Sequence, residues 1–270
     1  MSTAITPRPA AVPVAARRPA RWRTSGTHWA LSLAGVATLM ALWWIGGSAT
    51  RYVPPIGEVA RALPGFLAQP EVWTAVGITT LRVCGSLLIA LVLGIAAAAV
   101  MRRDWFWGKV MASFIGFAMA VPSTIAALLA LFLFRRAPIG VFLIVAFITF
   151  PFVATVLRQG MRNLDAKVSE MGDVYRLTGA ARLRHLVLPQ LAPYAFSAVR
   201  NEYAHAWKVV VLAELFTVTS GMGWQFSQAF DRFQLTEVVL WLLVFVAILL
   251  ISEYLLIRPT ERFVLKWRVS

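Results

Sequence analysis

The amino-acid sequence predicts an all-helical transmembrane protein with about six membrane-spanning helices. Hydrophobic residues make up 59% of the chain and charged residues only 14%, and the mean hydropathy is +0.72. Soluble domains carry about 25% charged residues. Several apolar stretches reach the roughly 20 residues that a helix needs to cross a bilayer. Lysines and arginines also concentrate in alternate loops between these stretches, as in multi-pass membrane proteins.

Six apolar stretches are the predicted spans, in chain order 29–49, 83–101, 110–134, 141–157, 191–218 and 238–257. Between the first two, residues 58–66 predict a short helix lying along the membrane face. Gly85 and Gly94 in the second span favour close packing against other helices, since small residues let helices approach. Pro122 and Pro151 are expected to kink the third and fourth spans.

The charge distribution predicts the orientation of the chain in the membrane. With both termini in the cytoplasm, eighteen Lys and Arg residues fall in the cytoplasmic segments. Five fall on the other side, namely Arg51, Arg61, Arg135, Arg136 and Arg232. This asymmetry follows the positive-inside rule, so the formal charge of +14 indicates topology and not nucleic-acid binding. We therefore expect a multi-pass membrane protein in contact with lipid.

The first 28 residues differ in composition from the remainder of the chain. They are rich in Pro, Ala and Arg and have no short apolar core typical of a signal peptide. We expect residues 1–28 to be a disordered basic cytoplasmic tail and residues 29–270 to be the membrane domain. The single cysteine, Cys84, excludes an intramolecular disulfide.

The longest predicted cytoplasmic loop, about residues 158–189, is amphipathic. Val168, Met171, Val174 (or Tyr175) and Thr178 recur on one side at helical spacing. Gly179 then offers a helix stop or turn, and residues 182–188 predict a second short helix ended by Pro189. Such a hairpin is too short to cross the bilayer and too apolar on one face to remain free in water. It is therefore expected to dock onto another protein.

This loop resembles the coupling loop of ABC importer permeases. The family pattern is Glu-Ala-Ala, three residues, Gly, and then about a dozen residues before a Leu-Pro pair. Glu170 and Leu188-Pro189 match its spacing, whereas Met171 and Gly172 replace the alanines and Arg176 stands at the Gly position. The resemblance assigns the following residues to coupling with an ATPase: Glu170, Met171, Gly172, Val174, Tyr175, Gly179, Leu188 and Pro189.

Further residues resemble the nitrate, sulfonate and taurine branch of that family, over roughly residue 51 to the C-terminus. They are Pro54 to Val59, Thr80-Leu81-Arg82, Gly85, Gly94, Pro122, Phe150-Pro151, Trp207, Ala213-Glu214 and Ser220 to Gly223. The resemblance implies the type I permease fold, a homodimer in a bacterial inner membrane, two partner ATP-binding subunits and an extracytoplasmic solute-binding protein. It places ATP and Mg²⁺ in the partner subunits and no cofactor in this chain. Consistent with this, no Gly-x-x-x-x-Gly-Lys phosphate-binding motif occurs in the sequence.

Ionisable residues in the fifth span, together with Arg82 directly before the second span, are candidates for the translocation path. Charged groups within a bilayer are costly, so they are usually paired or face a polar cavity. The candidates are Arg82, Arg200, Glu202, His205, Lys208 and Glu214. His205 and Lys208 lie deepest on one helix face, where they would suit a small anion such as a sulfonate, taurine or nitrate. Three structural explanations stay open: pairing of His205 and Lys208 with Glu202 or with another span, snorkelling of Arg200, and a helix-bridging role for Glu214 and Glu253.

Two other function classes are weighed against an ATP-driven importer. A secondary carrier driven by an ion gradient would favour paired halves with broken helices, and no such symmetry is visible in the sequence. A membrane-embedded enzyme requires a clustered catalytic set, whereas the ionisable residues here are dispersed. His28, His185 and His205 fall in different compartments of the predicted topology, so a metal site is not expected.

Overall fold

The computed structural model describes residues 25–50, 52–102, 105–134, 137–257 and 259–260. Within those ranges every regular element is a helix. The elements are α1 Ser25–Ala49, α2 Ile56–Leu67, α3 Pro70–Met101, α4 Phe106–Ala120, α5 Ser123–Phe134, α6 Pro138–Arg162, α7 Ala166–Val174, α8 Gly179–Arg182, α9 Leu188–Thr217, α10 Met222–Asp231 and α11 Leu235–Ile251. Two π-helical segments, Leu183–Val187 and Ser252–Ile257, join α8 to α9 and extend α11.

Each predicted span corresponds to a helix or to a bent pair of helices. Among the described residues, three helices are long and apolar enough to cross a membrane unbroken: Pro70–Met101, Pro138–Arg162 and Leu235–Leu255. Two bent pairs supply a further two spans, α4 with α5 and the helix Gly179–Thr217 with α10. The apolar part of α1, Leu33–Ala49, is shorter. The short helix expected over 58–66 is confirmed as α2.

The prolines behave differently in the two spans in which kinks are expected. At Pro122 the predicted third span divides into two half-helices that meet at 93°. The kink expected at Pro122 is confirmed, because Pro122 cannot continue the hydrogen-bond ladder and the chain turns there. At Pro151, by contrast, α6 continues unbroken from Pro138 to Arg162. Membrane helices tolerate proline where neighbouring groups satisfy the freed carbonyl.

The centre of the fold is the packing of α3 on α6, the most extensive helix pair, followed by α6 on α9. Glycines make the α3–α6 contact close. A Cβ at Gly94 would lie 2.6 Å from a methyl group of Val153, and one at Gly85 would lie 2.6 Å from the Phe142 ring. The expectation that these small residues face other helices is confirmed.

The helix ends extend beyond several predicted boundaries. α1 begins at Ser25, so the last four residues of the predicted tail are helical, and residues 1–24 lie outside the described ranges. α3 begins at Pro70, thirteen residues before the predicted second span. Arg51, Arg135 and Arg136 also lie outside the described ranges, so the orientation derived from charge stays a prediction.

Candidate functional site

The coupling segment, residues 158–189, forms a helical hairpin at the end of α6. Its first arm is α7, whose N-terminus is capped by the Asp165 side chain, 2.8 Å from the Lys167 backbone N–H. The Gln190 side chain accepts a hydrogen bond from the Asp165 N–H at 2.9 Å. It also donates to the Leu186 carbonyl. These bonds fix the start of α7 against the start of α9.

The first arm ends in a turn built on Arg176. This residue adopts φ 49°, the left-handed conformation that usually requires glycine. The Arg176 N–H donates to the Asp173 carbonyl and the Leu177 N–H donates to the Gly172 carbonyl, each at 3.0 Å. This is the Schellman arrangement that closes many helices. The turn therefore lies where the family pattern has glycine, and the expected turn at Gly179 is wrong because Gly179 opens α8.

The second arm is continuous with the fifth span. A single helix runs from Gly179 to Thr217, through the π-helical segment Leu183–Val187. The expectation that Pro189 ends a separate short helix is therefore wrong. Pro189 is the second residue of α9, and a local π-bulge is a common way for a helix to absorb an irregularity in its hydrogen bonding.

The two arms pack through Leu186 and Gly172. Leu186 is buried, and a Cβ at Gly172 would lie 2.5 Å from its methyl group. The apolar residues on the far side of α7 have no such cover. Val174 is 79% exposed, Tyr175 72% and Met171 47%. We call these three residues the coupling face; Glu170, Gly179, Leu188 and Pro189 are exposed beside it.

At the opposite end of α9, a buried set of polar groups joins three elements. The Arg82 guanidinium lies 2.7 Å from the Glu214 carboxylate, and their side chains are 4% and 0% exposed. Arg82 also donates to the Ser220 carbonyl and hydroxyl, each at 2.8 Å. The Thr79 hydroxyl donates to the same carboxylate at 2.9 Å. We call Thr79, Arg82, Glu214 and Ser220 the Arg82–Glu214 cluster.

This cluster caps the N-terminus of α10. The Gly223 N–H donates to Glu214 at 3.0 Å and the Met222 N–H donates to Thr79 Oγ1 at 2.8 Å. The first N–H groups of a helix have no partner within the helix, and α3 and α9 supply the acceptors here. Gly221 has φ 97°, and a Cβ there would overlap the Glu214 carboxylate. The geometry thus favours the helix-bridging explanation for Glu214 and extends it to Arg82.

Of the remaining ionisable residues of α9, Arg200, Glu202 and His205 are paired, and Lys208 is not paired within the described residues. Arg200 lies 3.2 Å from Glu253 of the last helix, so Glu253 too bridges helices. His205 Nδ1 lies 2.9 Å from Glu202 one turn earlier. Lys208 is exposed, and within the described residues no hydrogen bond or ion pair joins it.

Reasoning from the sequence overlooked two elements of these sites. Thr79 directly precedes the Thr80-Leu81-Arg82 run but had no assigned role, although a hydroxyl one turn before a membrane-embedded arginine is a usable signal. The left-handed conformation of Arg176 was not anticipated. Its signal was available, because Arg176 stands where the coupling-loop pattern has glycine.

Comparison with known proteins agrees with this architecture. The family model described as binding-protein-dependent transport system inner membrane component matches residues 90–258. The permease named for aliphatic sulfonates transport, SsuC, of Escherichia coli is 25% identical over 92% of this chain and 94% of its own length. SsuC of Bacillus subtilis is 29% identical over 42% of this chain and 40% of its own length. The bicarbonate transport system permease CmpB of Synechococcus elongatus is 23% identical, covering 82% and 84%.

Solved structures share the fold. An amino acid ABC transporter chain superposes with a TM-score of 0.59 and 18% identity, covering 74% of this chain and 97% of that one. A chain of the inward-facing methionine ABC transporter MetNI gives 0.58 and 15%, covering 72% and 94%. Among the function classes weighed from the sequence, the family match selects the importer permease. The chain therefore belongs to the inner membrane components of binding-protein-dependent transport systems, as a multi-pass ABC importer permease with the type I fold.

Proposed function

We propose that this chain is the translocation subunit of an importer of small anions, working with a second copy of itself. Two partner ATPase subunits would bind ATP and Mg²⁺ and dock on the coupling segment in the cytoplasm, where both termini would also lie. An extracytoplasmic binding protein would deliver the solute. The observation that carries this proposal is the coupling face, an apolar surface that the chain itself leaves uncovered.

The coupling face has the properties of a docking site. Met171 and Val174 lie on the nine-residue helix α7 and Tyr175 is its C-cap, while Gly172 of the same helix packs on Leu186. Tyr175 offers an aromatic ring, a residue type that often dominates interface energies. The hairpin is anchored at both ends, through Gln190 and through continuity with α9, so force applied to it reaches the membrane helices.

A groove at the opposite end of the bundle suits the binding protein. Its volume is about 970 Å³, and it lies between α2 and the turn that joins α10 to α11. Glu58 and Glu237 line it, and the Thr236 hydroxyl donates to Glu58. Phe233 lines the same groove and is 83% exposed. Two acidic groups beside an exposed aromatic ring favour a partner surface with basic and apolar residues.

The proposal that the solute is an anion rests on Lys208. The predicted spans contain three carboxylates, Glu202, Glu214 and Glu253, and the structure pairs them with His205, Arg82 and Arg200. Lys208 is left without a carboxylate among the described residues. An uncompensated cation in a bilayer costs about 2.5–3.5 kcal/mol or more, so it is expected to face an aqueous path. A passing anion is the counter-ion that such a path would select.

Reconstitution with the partner ATPase tests the coupling part of the proposal. Val174→Asp would put a charge on the coupling face, so we expect at least about tenfold weaker ATPase binding with unchanged folding. Phe233→Asp is the matched control, an equally exposed apolar residue at the other end of the molecule. Equal ATPase binding by both variants would contradict the coupling assignment.

Uptake into proteoliposomes tests the anion part. Lys208→Met is expected to reduce anion uptake about tenfold or more, since a membrane-embedded charge contributes over 1.4 kcal/mol. Lys208→Arg is expected to keep most uptake, and both variants should bind the ATPase normally. Undiminished uptake of every anion by Lys208→Met would remove this residue from the path.

A further inference from the structure

The bend in the third span borders a cavity of about 210 Å³. Its walls come from α4, α5, α6 and α9, and most of them are apolar. Met119 and Val121 lie on the α4 side, and Phe147 and Phe152 lie on α6. Two polar side chains reach it, Ser123 at the start of α5 and His205 of α9. The cavity, which we call the chamber, is thus lined mainly by apolar side chains, while polar atoms also form a considerable part of its wall.

His205 is held in place at this wall by two contacts. Its Nδ1 lies 2.9 Å from the Glu202 carboxylate. Its ring meets the ring of Phe152 edge-on, with centroids 5.6 Å apart. With Nδ1 engaged by Glu202, Nε2 is the ring nitrogen available to a molecule in the cavity. An imidazole fixed in this way can orient a ligand without losing side-chain entropy.

Lys208 lies three residues beyond His205 on the same helix, about 4.5 Å along its axis. Helical spacing of three residues puts the two side chains on neighbouring parts of one face. Lys208 does not line the chamber itself, but this spacing places its cation on the helix face beside His205, which does. A molecule that satisfies both the cation and the chamber has an anionic head and a short hydrocarbon body.

We infer that the chamber receives the hydrocarbon part of a small organic anion whose head group pairs with Lys208, with His205 at the boundary between the two. This inference rests on the proposed function and narrows its substrate class. An inorganic anion such as bicarbonate has no group to place against Phe147, Phe152 and Val121. Burial of each methylene in the chamber is expected to favour the organic anion about fourfold, equivalent to about 0.8 kcal/mol.

Alkanesulfonates provide the test, because they lengthen by one methylene at a time with a constant head group. Rates of ATP-driven uptake are measured in proteoliposomes with the complete complex and saturated binding protein, for ethane-, butane- and hexanesulfonate and for bicarbonate. Ala118→Leu narrows the chamber, whereas Phe147→Ala enlarges it. The same binding protein serves every variant, so a change in relative rates originates in this chain.

We expect Ala118→Leu to lower butanesulfonate uptake relative to ethanesulfonate by about tenfold, and Phe147→Ala to shift the preference toward hexanesulfonate. Ala120→Leu is the control, because Ala120 ends α4 and is exposed without lining the chamber. The opposite shifts of the two variants cannot arise from misfolding alone.

An unchanged chain-length profile in both variants, with uptake retained, would overturn the inference and leave the proposed function intact. Uptake of bicarbonate but of no sulfonate would do the same. Absence of uptake of any anion by the wild-type complex, with the ATPase bound, would contradict the proposal of an anion importer and the inference with it.

Discussion

The two ends of α9 differ in what they bury: polar groups are buried and paired at one end, and apolar side chains are exposed at the other. At one end, Arg82, Thr79 and Glu214 are buried and their hydrogen bonds are made within the chain. At the other end, the coupling face exposes Val174 and Tyr175, and nothing in the described chain covers them. A buried ion pair whose bonds are all internal holds a fixed arrangement, whereas an uncovered apolar face needs a second protein. The comparison separates an end of the molecule that holds a fixed structure from an end that we propose binds another protein.

Substitution of Arg82 should have the largest effect. Arg82→Met leaves the Glu214 carboxylate buried without its cation, and loss of one partner of a buried pair costs about 3–5 kcal/mol. The measurement is the free energy of unfolding of the purified protein in detergent. Arg61→Met, at an exposed position of α2, should change it by less than about 0.5 kcal/mol. The double variant Arg82→Met/Glu214→Leu should recover part of the loss. If Arg82→Met unfolds like the wild type, the cluster is not a stabilising feature.

Gly221→Ala tests the cap of α10 in the same assay. The residue has φ 97° and its new Cβ would overlap the Glu214 carboxylate, so we expect a loss of up to about 3 kcal/mol. Gly65→Ala is the matched control, because Gly65 lies inside α2 with open space around its Cβ position. That change should be neutral or slightly stabilising. Similar results for the two alanines would indicate that α10 is free to shift.

Tyr175→Ala tests whether the coupling face binds the ATPase subunit. Its stability effect on the isolated chain should be negligible, since the ring is exposed. Binding to the ATPase subunit should weaken by about 2 kcal/mol, roughly thirtyfold, as for an aromatic interface anchor. Titration of the partner against the purified permease measures this. A stability loss with unaltered binding would reverse the assignment of this end.

Arg176→Gly should produce the smallest effect, and in the stabilising direction. The left-handed conformation costs a residue with a Cβ about 1–2 kcal/mol, and glycine's greater freedom when unfolded offsets part of the gain. We therefore expect about 1 kcal/mol, read from thermal unfolding. Arg184→Gly, within the helical second arm, should destabilise by about the same amount. Loss of stability in Arg176→Gly would mean that the arginine side chain contributes to the turn.

The apolar stretches and the coupling-loop pattern were sufficient to predict the spans and the position of the hairpin. The turn residue could not be predicted from propensity, because propensity assigns a left-handed position to Gly179 and not to Arg176. The two hydrogen bonds that close α7 outweigh that preference. Likewise, Pro122 predicts a kink, but the angle of 93° depends on how α5 packs against α6 and α9.

The pairing of Arg82 with Glu214 was beyond the reach of the sequence alone. The two residues are 132 positions apart, and each was a candidate for the translocation path. Only the packing of α3 beside α9 decides that they neutralise each other. The same packing leaves Lys208 exposed and His205 partly buried. Helical spacing alone puts both residues on one face and could not predict this difference.

The unbroken course of the helix from Gly179 to Thr217 has a mechanical consequence. At 1.5 Å per residue it is a rod of roughly 58 Å, and the Arg82–Glu214 cluster holds it near its far end, so a tilt of about 10° about Glu214 displaces the hairpin end by roughly 9 Å. Its π-helical segment, Leu183–Val187, lies next to the docking hairpin. This segment is where we expect the helix to bend most easily. On the proposed function, movement of the hairpin by the partner ATPases would reach Lys208, six residues before the pivot at Glu214, as a displacement of roughly 2 Å.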